Sequence, residues 1–260
     1  MAHHIVKLIP DHQMYVEPFF GGGAVMFAKG LPKVTSDTHY HEVINDKDEM
    51  LINFYRQFQT NFGELYQRIA FTPHSEAEYR RAKEIMKEPQ SHSDLELAWA
   101  YYVNIQQSFA SKLNGGWQRI RKTPDKNEGA AWTNKTARLE ELFYRFKKVT
   151  ISCTDALTVI QQRDSETAFF YCDPPYPNVD QGHYSGYSTK DFQDLIDLLA
   201  TIKGKFILSN YPQPENTFPD VWIRKDIEAF SSAARKIEAR GKRTEVLWMN
   251  FNPEIQPNLL

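Results

Sequence analysis

Residues Ala168-Phe169-Phe170-Tyr171-Cys172 form an apolar run that meets Asp173-Pro174-Pro175-Tyr176-Pro177. Proline has a fixed φ and no amide hydrogen, so a strand read over 168–172 has to stop at Asp173. In open α/β sheets the carboxyl ends of strands are where ligands gather. This exit offers a carboxylate, carbonyls that only accept, and a flat ring. That set fits an aromatic amine. An exocyclic NH2 would give one hydrogen to Asp173 and one to the Pro174 carbonyl while Tyr176 stacks on the ring.

A second strand exit lies upstream. Met14-Tyr15-Val16 reads as a short buried strand, Gly21-Gly22-Gly23 as a sharp turn and Val25 to Lys29 as a helix. Glycine lets the backbone turn tightly and approach a ligand where a Cβ would clash, and the helix aims its first amides at the same space. The dinucleotide pattern G-x-G-x-x-G is not met, because Met26 stands at its third glycine. A nucleoside without a pyrophosphate therefore fits better. Asp46 ends a strand read over Val43–Asp46, 25 residues after Gly21. An acid about 20 residues on holds ribose hydroxyls in nucleoside-binding sheets. The same residues also read as an ordinary glycine turn with a solvated strand-end Asp.

The organisation follows from periodicity. Residues 1–65 and 146–260 alternate strands and helices. The later strands are read at Lys148–Ser152, Ala168–Cys172, Phe206–Leu208 and Thr244–Phe251, the last paired with Val221–Ile223. Thr189–Thr201 reads as a helix capped by Ser188 or Thr189. Glu49–Phe58 is an amphipathic helix placed in the first stretch. Residues 66–145 read as helical, with helices over Glu76–Met86 and Asp94–Phe109. Strand–helix alternation on both sides of a helical insert implies an open α/β sheet interrupted by a second lobe. With 260 residues the chain can bury a sizeable core. No apolar run approaches the ~18 residues of a membrane span, and no basic-then-apolar signal peptide opens the chain. Two cysteines, Cys153 and Cys172, make no disulfide framework and imply a reducing, cytoplasmic setting. They read as buried residues on adjacent strands, and Tyr101, Tyr102 and Phe109 as core of the helical lobe. The eight histidines show no metal-ligand spacing.

Taken together, Glu17-Pro18-Phe19-Phe20-Gly21-Gly22-Gly23, Asn45-Asp46 and Asp173-Pro174-Pro175-Tyr176 resemble the cofactor, ribose and catalytic motifs of one family. It is the Dam-like, class alpha group of S-adenosyl-L-methionine-dependent DNA N6-adenine methyltransferases. The motif order matches too, as do Leu208-Ser209-Asn210-Tyr211 and Lys242-Arg243-Thr244-Glu245-Val246. The resemblance implies a Rossmann-like methyltransferase sheet, mixed and mostly parallel, over 1–65 and 146–260. Residues 66–145 would be a helical target-recognition insert. It puts Glu17, Pro18, Phe19, Gly21 and Gly23 at the methionine and sulfonium end, Asp46 on the ribose and Asp155 near the cofactor adenine. Asp173 to Tyr176 would hold the target base, with Asp173 also beside the cofactor. It further implies a monomer acting on double-stranded DNA in a bacterial or phage-infected cytoplasm. A cognate restriction endonuclease or an orphan role both remain open. Family members usually open on an aromatic-x-Gly-Gly-Lys segment. Here Met1 to Lys7 resembles the helix after it. Two alternatives therefore stand beside the main expectation: a cofactor-deficient DNA-binding relative and an RNA adenine methyltransferase.

Net charge is -2, which argues against a histone-like binder. Local charge differs, with ten basic and four acidic residues from Lys112 to Lys148. Lys112, Asn114, Trp117, Arg119, Arg121 and Lys122 are the expected DNA contacts, with Trp117 as a stacking or wedge residue. The competing reading is a solvated helical face with a core Trp.

Overall fold

In the computed structural model the described residues are 1–30, 40–109, 113, 115–118, 127–175, 187–212, 217–230 and 242–253. They divide into two compact units, residues 1–47 with 152–260 and residues 48–151. The expected division lay at 65/66 and 145/146.

The sheet has seven strands in the order β3-β2-β1-β4-β5-β7-β6, and all but β3 lie wholly within the first unit. Its strands are β1 (Met14–Glu17), β2 (His41–Asn45), β3 (Thr150–Ser152), β4 (Ala168–Cys172), β5 (Lys205–Asn210), β6 (Ile223–Phe230) and β7 (Lys242–Met249). β2, β1, β4 and β5 pair in parallel, and β7 runs antiparallel between β5 and β6. Strands covered on both faces are apolar throughout, and all five residues of β4 are buried. Val16, Phe170, Cys172, Phe206, Leu208 and Val246 line one face of the sheet. Phe192, Leu195, Ile196 and Leu199 of α10 (Thr189–Leu199) pack on them. Ser188 and Asp191 close a capping box at the start of α10. The short helices α1 (Ala2–Val6) and α2 (Ala24–Ala28), and α9 (Ala156–Arg163), complete the unit. β1 has β2 on one side and β4 on the other, so the strand order reverses there. A crevice opens at the carboxyl ends of strands at such a switch point.

The second unit is helical: α3 (Glu49–Thr60), α4 (Phe62–Ala70), α5 (Glu76–Lys87), α6 (Asp94–Gln106), α7 (Glu128–Ala137) and α8 (Leu139–Phe146). Helix α6 is buried at every position from Leu97 to Asn104, as a helix apolar all round must be. Phe54 of α3 stacks on Tyr102 of α6, with ring centroids 5.5 Å apart. Trp99 and Trp132 both donate to Thr72, through its hydroxyl and its carbonyl.

Five expectations are corrected here. The helix at Glu49 packs in the second unit, not the first. α6 stops at Gln106, because the Gln107 side chain turns to the Ser75 amide and the Pro73 carbonyl. Phe109 is exposed rather than core, and Cys153 is exposed while Cys172 is buried. β6 begins where its predicted segment ends, at Ile223. Among the described residues, no helix is long and apolar enough to cross a membrane, and no cluster of His, Cys, Asp and Glu is arranged to hold a metal.

Candidate active site

The turn after β1 is held by its neighbours. The Phe20 amide donates to the Asn45 carbonyl, and the Gly23 amide to the Phe20 carbonyl. Gly21 and Gly23 adopt φ of 48° and 63°, a region that side chains rarely enter. The Gly21 amide donates to Asp46 Oδ2 at 2.9 Å. Asn45, 1% exposed, reaches further. Its Nδ2 donates to the Pro18 and Thr154 carbonyls and its Oδ1 accepts from the Thr154 amide. One side chain thus ties the end of β2 to the end of β1 and to the segment leading into α9.

The exit of β4 lies beside this turn, because the parallel register sets Val16 against Phe170. The two exits line one cavity of about 430 Å³. Of the residues singled out in the sequence, Glu17, Phe19, Gly21, Gly23, Asp173, Pro174 and Pro175 line it. Pro18, Asp46 and Asp155 are not among its lining. Pro18 is tied to Asn45, Asp46 accepts from the Gly21 amide, and Asp155 caps α9 by accepting from the Leu157 amide. Tyr176 lies outside the described residues.

Two lining residues, Tyr171 and Glu245, were given no role by motif reading. Ser209 Oγ donates to Glu245 Oε1 at 2.9 Å and also bonds the Tyr171 hydroxyl. A lone acid inside the strand pattern of Thr244 to Met249 was the available signal, since a sheet acid needs a partner.

Glu17, Asp173 and Glu245 contribute carboxyls to the cavity, and among the described residues no lysine or arginine side chain lines it. Glu17 is 2% exposed. Burial pushes its carboxyl up to about 8, against hydrogen bonds from Tyr15 and the Met26 amide, with Asp173 and Glu42 adding to the rise. Burial and the carboxyls of Asp173, Glu17 and Glu245 push Tyr171 well above the usual phenol range. A cavity of this size with three carboxyls in its lining suits a nucleoside-sized ligand that carries a cationic group, with a glycine backbone that lets it come close.

In the second unit, Lys112, Asn114, Arg119, Arg121 and Lys122 lie outside the described residues. Trp117 is half-buried, stacked on His74 with centroids 5.5 Å apart and bridged to Ser108.

The family model for D12 class N6 adenine-specific DNA methyltransferases matches residues 1–239. The type II methyltransferase M1.LlaDCHI of Lactococcus lactis subsp. cremoris is 26% identical over 275 residues, covering 95% of this chain and 90% of its own. The DNA N-6-adenine-methyltransferase of Escherichia phage P1 is 27% identical over 273 residues, covering 95% of this chain and 33% of its own. Among solved structures, a putative methyltransferase, yhhF, from Escherichia coli aligns with a TM-score of 0.36 at 10% identity, covering 95% of this chain and 81% of that one. The rRNA methyltransferase aviRa from Streptomyces viridochromogenes aligns at 0.35 and 12%, covering 93% and 78%.

Proposed function

The chain belongs to the D12 class N6 adenine-specific DNA methyltransferase family, and from that premise we propose that it draws on S-adenosyl-L-methionine and acts on an adenine flipped out of double-stranded DNA. The observation that carries this reading is one acid-lined cavity shared by the glycine turn after β1 and the Asp173-Pro174-Pro175 exit of β4.

When bound, S-adenosyl-L-methionine supplies a methyl group made electrophilic by its sulfonium. The residues that would hold it are Glu17, Phe19, Gly21 and Gly23, with Asp46 keeping the turn in shape. Asp173 and the Pro174 carbonyl accept the two hydrogens of the target amine, and Tyr176 stacks on the base. An adenine amine is a poor nucleophile because its lone pair is delocalised into the ring. Two acceptors on its hydrogens favour a pyramidal nitrogen and aim the lone pair. Positioning of this kind accounts for much of the rate in such a site. A base inside a duplex does not present its amine, so unstacking of a few kcal/mol has to be offset by contacts to the DNA. Those contacts are assigned to the second unit, read as the target-recognition part, through Lys112, Asn114, Trp117, Arg119, Arg121 and Lys122. The protein would work as a monomer in the cytoplasm, with or without a cognate restriction endonuclease.

The test uses unmethylated DNA and tritiated S-adenosyl-L-methionine, with N6-methyladenine identified after digestion. Asp173→Ala is expected to cut transfer by about a hundred- to a thousandfold while calorimetric affinity for the donor persists. Undiminished transfer by Asp173→Ala would overturn the assignment.

A further inference from the structure

Tyr15 is fully buried in the middle of the sheet and is not among the residues lining the cavity. Its hydroxyl donates to Glu17 Oε1 at 2.5 Å, two residues along the same face of β1. The ring is fixed from several sides. Phe169 stacks on it with centroids 5.9 Å apart, and His12 lies at 5.7 Å. The Lys29 ammonium sits over it, 4.7 Å from the centroid. Lys29 is itself buried. It pairs with Glu42 at 3.3 Å and donates to the Tyr40 hydroxyl, which donates to Glu42 at 2.8 Å. Polar groups buried this deeply are costly unless satisfied, so a connected set of this kind calls for a reason beyond packing.

We propose that Tyr15 is a positioning residue for the methyl-donor site: its hydroxyl holds the Glu17 carboxyl oriented into the cavity, ready for the cationic end of the donor. The inference rests on the reading of the cavity given above. Glu17 is faced by Tyr15 on its own strand, the Met26 amide of α2, Glu42 on β2, Tyr171 on β4 and Asp173 beyond β4. Of these, Tyr15 and the Met26 amide donate to it, while the two acids oppose its ionisation. Tyr15 stays a donor, because burial and the adjacent Glu17 push its phenol well above the usual range. Removing the hydroxyl would leave Glu17 with one fewer donor to its charged form. It would then turn less readily toward a cation and ionise at higher pH. Lys29 and Glu42 act one step further back, by keeping the Tyr15 ring in place.

The test is calorimetry with S-adenosyl-L-methionine between about pH 6.5 and 8.5 on the wild-type protein, Tyr15→Phe, Glu17→Gln and the double variant. Wild-type affinity is expected to rise with pH as Glu17 ionises. Tyr15→Phe is expected to weaken binding by about ten- to a hundredfold, the range for a lost hydrogen bond to a charged group. It should also move the rise in affinity to higher pH. Glu17→Gln should bind weakly with a flat profile, and adding Tyr15→Phe to it should change affinity by less than about twofold. A purely packing role for Tyr15 would weaken both backgrounds equally, and that result overturns the proposal. So does an unshifted profile in Tyr15→Phe. Should that variant fail to fold, a wild-type-like pH profile in Glu17→Gln still overturns it, because Glu17 would then play no part in the pH response that Tyr15 is said to tune. No binding by the wild-type protein sinks the cavity reading as well, whereas wild-type binding indifferent to Tyr15 sinks this inference alone.

Discussion

Gly21, Gly22 and Gly23 are alike in sequence but not in the fold. A Cβ on Gly23 would sit 2.3 Å from Phe20 Cζ, at a φ of +63°. One on Gly22 would meet nothing within 4 Å. Gly23→Ala is therefore expected to lose about 1–3 kcal/mol through backbone strain alone, with the displaced Phe20 ring adding to it. Gly22→Ala should stay within about 0.5 kcal/mol of wild type. Urea unfolding of the two variants checks the contrast, and equal losses would contradict it. The sequence pointed to three permissive positions. Gly21 and Gly23 need to be glycine for their positive φ, and Gly23 also for the Phe20 ring, whose position no local pattern encodes.

At the level of elements, β1, β4 and β5 were legible because each holds an apolar run closed by a proline, at Pro18, Pro174 and Pro212. The edge was not. β6 carries Arg224, Lys225 and Asp226, all exposed, and an edge strand with charges shows no apolar run to read. α4 was hidden because only Asn61 separates it from α3. The acid–proline exit and glycine turn were legible as two strand exits, and they line one cavity. Asn45 was quoted only as a motif neighbour of Asp46, and its three bonds show only once the ends of β1 and β2 are side by side. Asn45→Ala should cost about 2–4 kcal/mol, since it strands the Pro18 and Thr154 backbone groups. Asn45→Asp should be no better, because a carboxylate would face two carbonyls. A urea midpoint for Asn45→Asp close to wild type would refute this account of the clamp.

For the whole molecule, two buried groups set opposing pH responses. Glu17 lies at about 8 against an ordinary 4.5, so between those values the folded chain keeps a proton that the unfolded chain has released. Stability falls across that window as pH rises. Burial lowers His12 from 6.5 to about 4, so there the unfolded chain holds the extra proton and stability rises with pH. The two offset each other from about 4.5 to 6.5. Above 6.5 only Glu17 acts, and these groups predict a loss of about 2 kcal/mol by pH 8 at ~1.36 kcal/mol per unit. Urea titrations across that range should show the fall in wild type and its absence in Glu17→Gln. A fall of equal size in both would place its origin elsewhere. Finally, Val16 takes its β4 partner from Phe170, so the central strand is synthesised long before the strand that completes it. At translation rates of ~5–20 residues per second the delay is about eight to thirty seconds. During that interval all of residues 48–151 is made, and one edge of β1 waits without its neighbour on the nascent chain. A ribosome stalled before β4 would thus hold β1 with one edge open, the kind of unpaired strand edge that invites non-native pairing.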